Sequence, residues 1–94
     1  MSIHNICEIG NLSQLKTLLD NPGVEVNALD DDGEKTPLNI VCKRGQIHML
    51  EELLKQPSID VNLQNDDDGY TPLFTACEVN RLDIVQALLE AGAE

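Results

Sequence analysis

Aromatic residues are almost missing from this 94-residue chain: there is no tryptophan, and Tyr70 and Phe74 stand alone. Any core must therefore be aliphatic, packed from Leu, Ile, Val and Ala. Bases are scarce too, six against seventeen acids, for a formal net charge of −11. They are scattered as Lys16, Lys35, Lys43, Arg44, Lys55 and Arg81. A phosphate backbone is bound by clustered Lys and Arg that displace counterions, so nucleic acid is excluded as the expected partner. An acidic surface instead steers basic partners, or serves solubility alone. No apolar run approaches the roughly 20 residues that span a bilayer. The start, MSIHNICEIGN, lacks the basic region and long apolar stretch of a secretory signal. The chain reads as soluble.

Patterns that carry catalysis are also missing. The three cysteines, Cys7, Cys42 and Cys77, are odd in number and form no CxxC or Cys/His cluster. That argues against a zinc site or a disulfide framework and for a reducing intracellular compartment, with the cytoplasm as the expected setting. Lys43 and Arg44 follow Cys42, but adjacent residues on a helix face different ways, so a small buried thiol is expected and not a reactive one. His4 and His48 lie far apart with no nucleophile pattern nearby, and His48 is expected in solvent. No GxGxxG, P-loop, HExxH or GxSxG occurs. Glu51-Glu52 reads as solvated helix charge. The runs Asp30-Asp31-Asp32 and Asp66-Asp67-Asp68 precede Gly33 and Gly69, which invites a calcium reading. An EF-hand loop with either glycine at position six would place Ala28 or Gln64 first and Asn39 or Thr75 twelfth, and neither supplies the required carboxylates. No enzyme, cofactor or metal is expected.

What is present is a repeat. The cysteines recur every 35 residues, and so do Leu18-Leu19, Leu53-Leu54 and Leu88-Leu89. Gly10 and Gly45 are followed at the same step by Asn80, Val26-Asn27 by Val61-Asn62, Pro22 by Pro57, and Thr36-Pro37-Leu38 by Thr71-Pro72-Leu73. The chain is almost three copies of one unit.

Each unit reads as two helices. Thr36 before Pro37 is a helix start, because Thr caps and Pro in the first turn loses no needed N–H. A helix over Pro37–Arg44 ends at Gly45, where a left-handed backbone is cheap. Asn80, the next best residue there, ends the corresponding helix Pro72–Val79. Second helices are expected over Gln46–Lys55 and Leu82–Glu90, the former with Ile47, Met49, Leu50, Leu53 and Leu54 at helical spacing. The first unit supplies Ser2–Ile9 and Leu12–Asp20. Between pairs, β-prone Val24-Glu25-Val26 and Ile59-Asp60-Val61 introduce acidic turns or hairpins that project from the stack. One helix pair cannot bury its apolar face alone, so neighbouring pairs must stack.

TPLNIVCKRGQIHMLEELL and TPLFTACEVNRLDIVQALLEAGA resemble the ankyrin repeat, with its TPLH-like start, small-residue pair, glycine turn, LL helix and GA-DVN link. The resemblance covers nearly the whole chain. It implies an all-α solenoid of stacked helix–turn–helix units with hairpin-like fingers, here one domain over 1–94 with units near 1–29, 30–64 and 65–94. The family's step is about 33 residues. One added residue here lies in the link KQPSIDVN and the other in the finger, after Gly33 in the first and before Gly69 in the second, so the two tips are expected to differ. The family's His after TPL is Asn39 and Phe74, which removes its Thr–His hydrogen bond. His4 has the place in the first unit, with Met1 at the Thr position. Phe74 is expected to pack on a neighbouring unit, and the cysteines to form a buried column.

Fingers and first helices of this family usually line a concave surface that binds other proteins. The expected partner-binding residues are Leu29, Asp31, Asp32, Glu34 and Lys35 on the first finger and Gln64, Asn65, Asp67, Asp68 and Tyr70 on the second. Glu8, Ile9, Lys43, Arg44, Glu78 and Val79 join them from the first helices. Tyr70 is either the anchor of the surface or packed over its own finger. The expected function is a protein-interaction module that meets a basic segment. The alternative is a spacer or self-associating array: first and last units look incomplete, and Leu82, Val85 and Leu89 are left uncovered. Either more repeats follow in a longer protein, or copies stack end to end.

Overall fold

The computed structural model describes residues 2–94. It contains α1 (Ile3–Ile9), α2 (Leu12–Leu19), α3 (Pro37–Arg44), α4 (Ile47–Leu54), α5 (Pro72–Glu78) and α6 (Leu82–Glu90). The helices have only seven to nine residues, too few to persist alone in water. Local signals set their ends. Ser2, Thr36 and Thr71 each accept from the backbone N–H three residues on, at 3.2 Å. Pro37 and Pro72 occupy the first turns of α3 and α5. Gly10 and Gly45 close α1 and α3 at φ 84° and 69°, and Asn80 takes the same left-handed turn after α5 at φ 61°. Observed ends lie within a residue or so of those read from sequence, with Ser2 and Gln46 outside their helices as caps.

The helices form two layers. α1, α3 and α5 pack side by side, α2, α4 and α6 form a second row, and each pair is closed by a glycine or asparagine turn. The core between the layers is aliphatic: Leu15, Leu50 and Leu53 are fully buried, as are Val41, Ile84 and Leu88. Burial of such side chains against neighbouring units offsets the entropy of ordering helices this short. No helix among the described residues is long and apolar enough to cross a membrane.

Val24–Val26 and Ile59–Val61, β-prone in composition, form no strand. Val26 instead drives into the core, and the asparagine after it staples one link to the next. Asn27 Nδ2 donates to Ser58 O at 2.7 Å, and Asp60 N donates to Asn27 Oδ1 at 2.9 Å. Asn62 repeats the device, accepting from Glu94 N at 3.0 Å. The expected buried cysteine column is incomplete. Cys7 and Cys42 are fully buried, but Cys77 is exposed, because no helix lies over α5 as α3 lies over α1. Burial pushes the Cys7 and Cys42 thiols up to about 12, so neither is a nucleophile at neutral pH.

Candidate functional site

The two fingers share a closure. Asp30 N donates to Lys35 O and Asn65 N to Tyr70 O, both at 2.9 Å, which makes each finger a one-rung hairpin. Their tips differ by one residue, as the insertions imply. Gly33 N reaches back to Asp30 O at 2.8 Å, whereas Gly69 N reaches Asn65 O, one residue further, at 3.0 Å. Asp30 stabilises its own finger: its carboxylate accepts from Glu34 N at 3.0 Å and Lys35 N at 3.4 Å. Those N–H groups, Glu34 first, hold its carboxyl below the ordinary range.

The fingers are also tied together. Asp66 N donates to Glu34 O at 2.7 Å, and Lys35 Nζ lies 2.5 Å from Asp67 Oδ2. The hydrogen bond from Lys35 lowers the Asp67 carboxyl, and the same bond raises Lys35. Both are partly exposed, so solvent screens the pair and it adds little to stability. Its role is orientation. Lys35 and Asp67 are thus engaged with each other at the finger seam.

Asn65 is also committed. It is 6 % exposed, and its Oδ1 accepts from Thr36 N at 3.1 Å, tying the second finger to the start of α3. This removes it from any contact surface: the residue expected at a tip is a buried strut. Gln64 spends its amide on Gly69 O at 2.9 Å. Asp68 accepts from Tyr70 N at 2.9 Å and remains exposed. Asp31, Asp32 and Asp66 point to solvent, Glu34 is half-buried, and Leu29 is 38 % exposed.

The first helices carry the floor. Glu8, Lys43 and Glu78 occupy one equivalent position in the three units and are all exposed. The next position holds exposed Ile9 and Arg44 and half-buried Val79. A cleft between the first finger and α1 is lined by Ser2, His4, Asn5, Glu8, Asp30, Asp31, Asp32 and Ile40. Lys43 and Arg44 make no ion pair among the described residues, in contrast to Lys35, Lys55 and Arg81.

Tyr70 is half-buried, with its ring 4.4 Å from that of Phe74 at a 54° tilt. It packs on α5, not only on its own finger. Phe74, expected to pack on a neighbouring unit, stays 50 % exposed, with its ring against Tyr70.

Asn39 is a structural centre that the sequence does not announce. Its Nδ2 lies 3.2 Å from Thr36 Oγ1, 3.3 Å from Leu63 O and 3.2 Å from Tyr70 O, and its Oδ1 accepts from Thr75 Oγ1 at 2.7 Å. Asn39 thus supplies the Thr-to-side-chain bond that the missing His left vacant. His4, one unit earlier, makes the bond equivalent to Leu63, to Ala28 O at 2.6 Å. A carbonyl only accepts, so this proton sits on Nε2. Met1, at the Thr position of the same unit, lies outside the described residues.

No group of three or more His, Cys, Asp or Glu side chains suited to a metal forms among the described residues. The family model for ankyrin repeats, in three copies, matches residues 3–94. No curated protein matches the chain.

Proposed function

The chain belongs to the ankyrin repeat family, whose members are in general protein–protein interaction modules, and from that premise we propose that it binds a basic segment of another protein along its fingers and first helices. It is one three-unit domain, of approximate units 1–29, 30–64 and 65–94, working in a reducing cytoplasmic setting with its thiols free. The observation that carries the reading is the seam between the fingers. Asp66 N to Glu34 O and Lys35 to Asp67 join two acidic loops into one body. Asp31, Asp32, Asp66 and Asp68 therefore stand at the tips on a preorganised frame, and little ordering entropy is lost on binding.

The floor refines the partner. Lys43 and Arg44 sit at the centre unit, between Glu8 on one side and Glu78 on the other. A segment that fits this surface carries bases toward the tips and one acid toward the middle of the floor.

The experiment is capture of a basic partner from extract by the immobilised chain, followed by titration of the purified pair. Asp31→Asn with Asp32→Asn, and Asp66→Asn with Asp68→Asn, are expected to slow association and weaken binding, as rising salt should also do. An affinity indifferent both to salt and to all four substitutions would overturn the acidic-tip reading.

A further inference from the structure

The 35-residue step places Glu8, Lys43 and Glu78 at one position of the repeat, two residues before the turns at Gly10, Gly45 and Asn80. All three side chains are exposed. Lys43 is exposed with a unit packed on each side of α3, so access to this row does not depend on an unstacked end. Along the stack the row runs acid, base, acid. The neighbouring row holds Ile9, Arg44 and Val79, so the central unit carries two bases and the flanking units add apolar surface.

Helix termini do not explain this order. The carbonyl end of a helix favours a base, and α3 has two, but α1 and α5 have none in their last turns and carry Glu8 and Glu78 there instead. Nor are the charges consumed within the chain, since none of the three forms an ion pair among the described residues. Helices packed side by side lie about 8–10 Å apart, and equivalent side chains repeat at that distance. This spacing selects a ligand backbone. In a β-strand, side chains on one face recur at about 6.8 Å and then about 13.6 Å, on either side of it. In an α-helix they recur near about 5.4 Å and, after two turns, about 10.5 Å, on a rod about 10–12 Å thick. A polyproline II segment has three residues per turn and rises about 3.1 Å per residue, so every third side chain returns to one side after about 9.3 Å. It needs no backbone hydrogen bonds, which a floor of side chains cannot supply as a strand edge would, and unfolded chains already populate it.

We propose that the floor takes a polyproline II segment of the partner whose base, acid and base stand three residues apart, against Glu8, Lys43 and Glu78 in turn. The inference rests on the basic-partner reading and adds to it the order and spacing of the charges. The pattern is the same from either end, so the row fixes register and leaves chain direction to other contacts. Shifting the segment by one unit puts a base against Lys43 and the acid against a glutamate, and like charges opposed cost affinity.

Three end-blocked peptides of one composition test it, each titrated into the intact chain and followed by amide NMR. Lys-Pro-Ser-Glu-Pro-Ser-Lys carries the matched order and step. Lys-Pro-Ser-Lys-Pro-Ser-Glu keeps the step but misplaces the acid, and Pro-Lys-Ser-Glu-Ser-Lys-Pro keeps the order at a two-residue step. Their net charge is equal, so the general attraction of a chain at −11 is the same for all. The matched peptide is expected to bind about fivefold tighter than either isomer and to shift the ends of α1, α3 and α5 together. Lys43→Glu should turn the preference toward Lys-Pro-Ser-Lys-Pro-Ser-Lys by about tenfold relative to the matched peptide. Lys16→Glu, the same change of net charge at an exposed site on α2, should not. Equal affinity for the three isomers, tighter binding of a mismatched one, or the same response to Lys43→Glu and Lys16→Glu would overturn the proposal and leave the basic-partner reading standing. Failure of every peptide to bind, the three-lysine one included, would overturn both.

Discussion

Asn39 is 1 % exposed, and its amide group joins the cap of α3, the second finger and α5. Asn39→Ala would strip a partner from Thr75 Oγ1 and from the Leu63 and Tyr70 carbonyls in a site with little access for water. Unsatisfied buried groups cost about 1–3 kcal/mol each, so a loss of about 2 kcal/mol or more is expected, read as a lower urea midpoint at unchanged slope. Asp30 offers a second test. Its folded carboxyl titrates below its unfolded value near about 3.9, so its stabilisation is fully present above that pH and is lost as pH falls through the depressed value. Asp30→Asn keeps an acceptor, as Asn65 does in the next unit, but removes this linkage. The stability gap between wild type and variant should therefore shrink as the pH drops through the carboxylate range in parallel thermal melts. These two residues also mark what the sequence could reveal. Asp30 is legible as a turn residue, because Asp before a Gly-containing loop bonds its own backbone. Asn39 and Asn65 are not, since apart from Thr36, three residues before Asn39, the partners of their side chains lie 24 to 36 residues away and only the stacking register brings them together. The one available signal is a polar residue directly after Thr-Pro-Leu, at a place flanked by buried apolar side chains.

Among the elements, the helices are readable because their ends are local chemistry: a Thr-Pro start, a glycine stop and an aliphatic stripe. The fingers are turns, as their composition predicts, and the β-prone pieces that introduce them form no strand. Val-Glu-Val and Ile-Asp-Val favour a ladder only where another strand lies alongside. The turn between helices can be tested at both of its chemistries. Gly45 sits at φ 69°, and an added Cβ would run into Arg81 Nη1. The arginine tip can swing away, so the backbone decides the outcome: Gly45→Ala should cost about 1–2 kcal/mol for forcing a side chain into the left-handed region. Asn80 has the same turn at φ 61° and is exposed, so Asn80→Gly should be neutral or stabilising by a few tenths of a kcal/mol. Thermal denaturation of the two variants would separate them in opposite directions. A shift of both the same way would mean that packing over the turn, not its backbone, sets the energy.

At the scale of the whole molecule, charge and stacking oppose one another. Seventeen acids against six bases repel within a stack whose core is aliphatic and whose ion pairs lie at the surface. Three bases are tied to nearby carboxylates, Lys35 to Asp67, Lys55 to Glu52 and Arg81 to Asp83, so screening removes some attraction as well. Solvent-exposed pairs contribute little, whereas the self-repulsion of −11 is summed over the entire surface, so screening relieves more repulsion than it removes attraction. The melting temperature should therefore rise with sodium chloride from dilute buffer toward physiological ionic strength and then level off as the Debye length falls to about 8 Å. Capture of a basic partner should move the other way over the same range, because the tips that repel one another are the ones that attract it. A chain that melts earlier as salt is added would show that its few ion pairs outweigh its excess of acid, and the fingers could no longer be regarded as a preorganised field of spare negative charge.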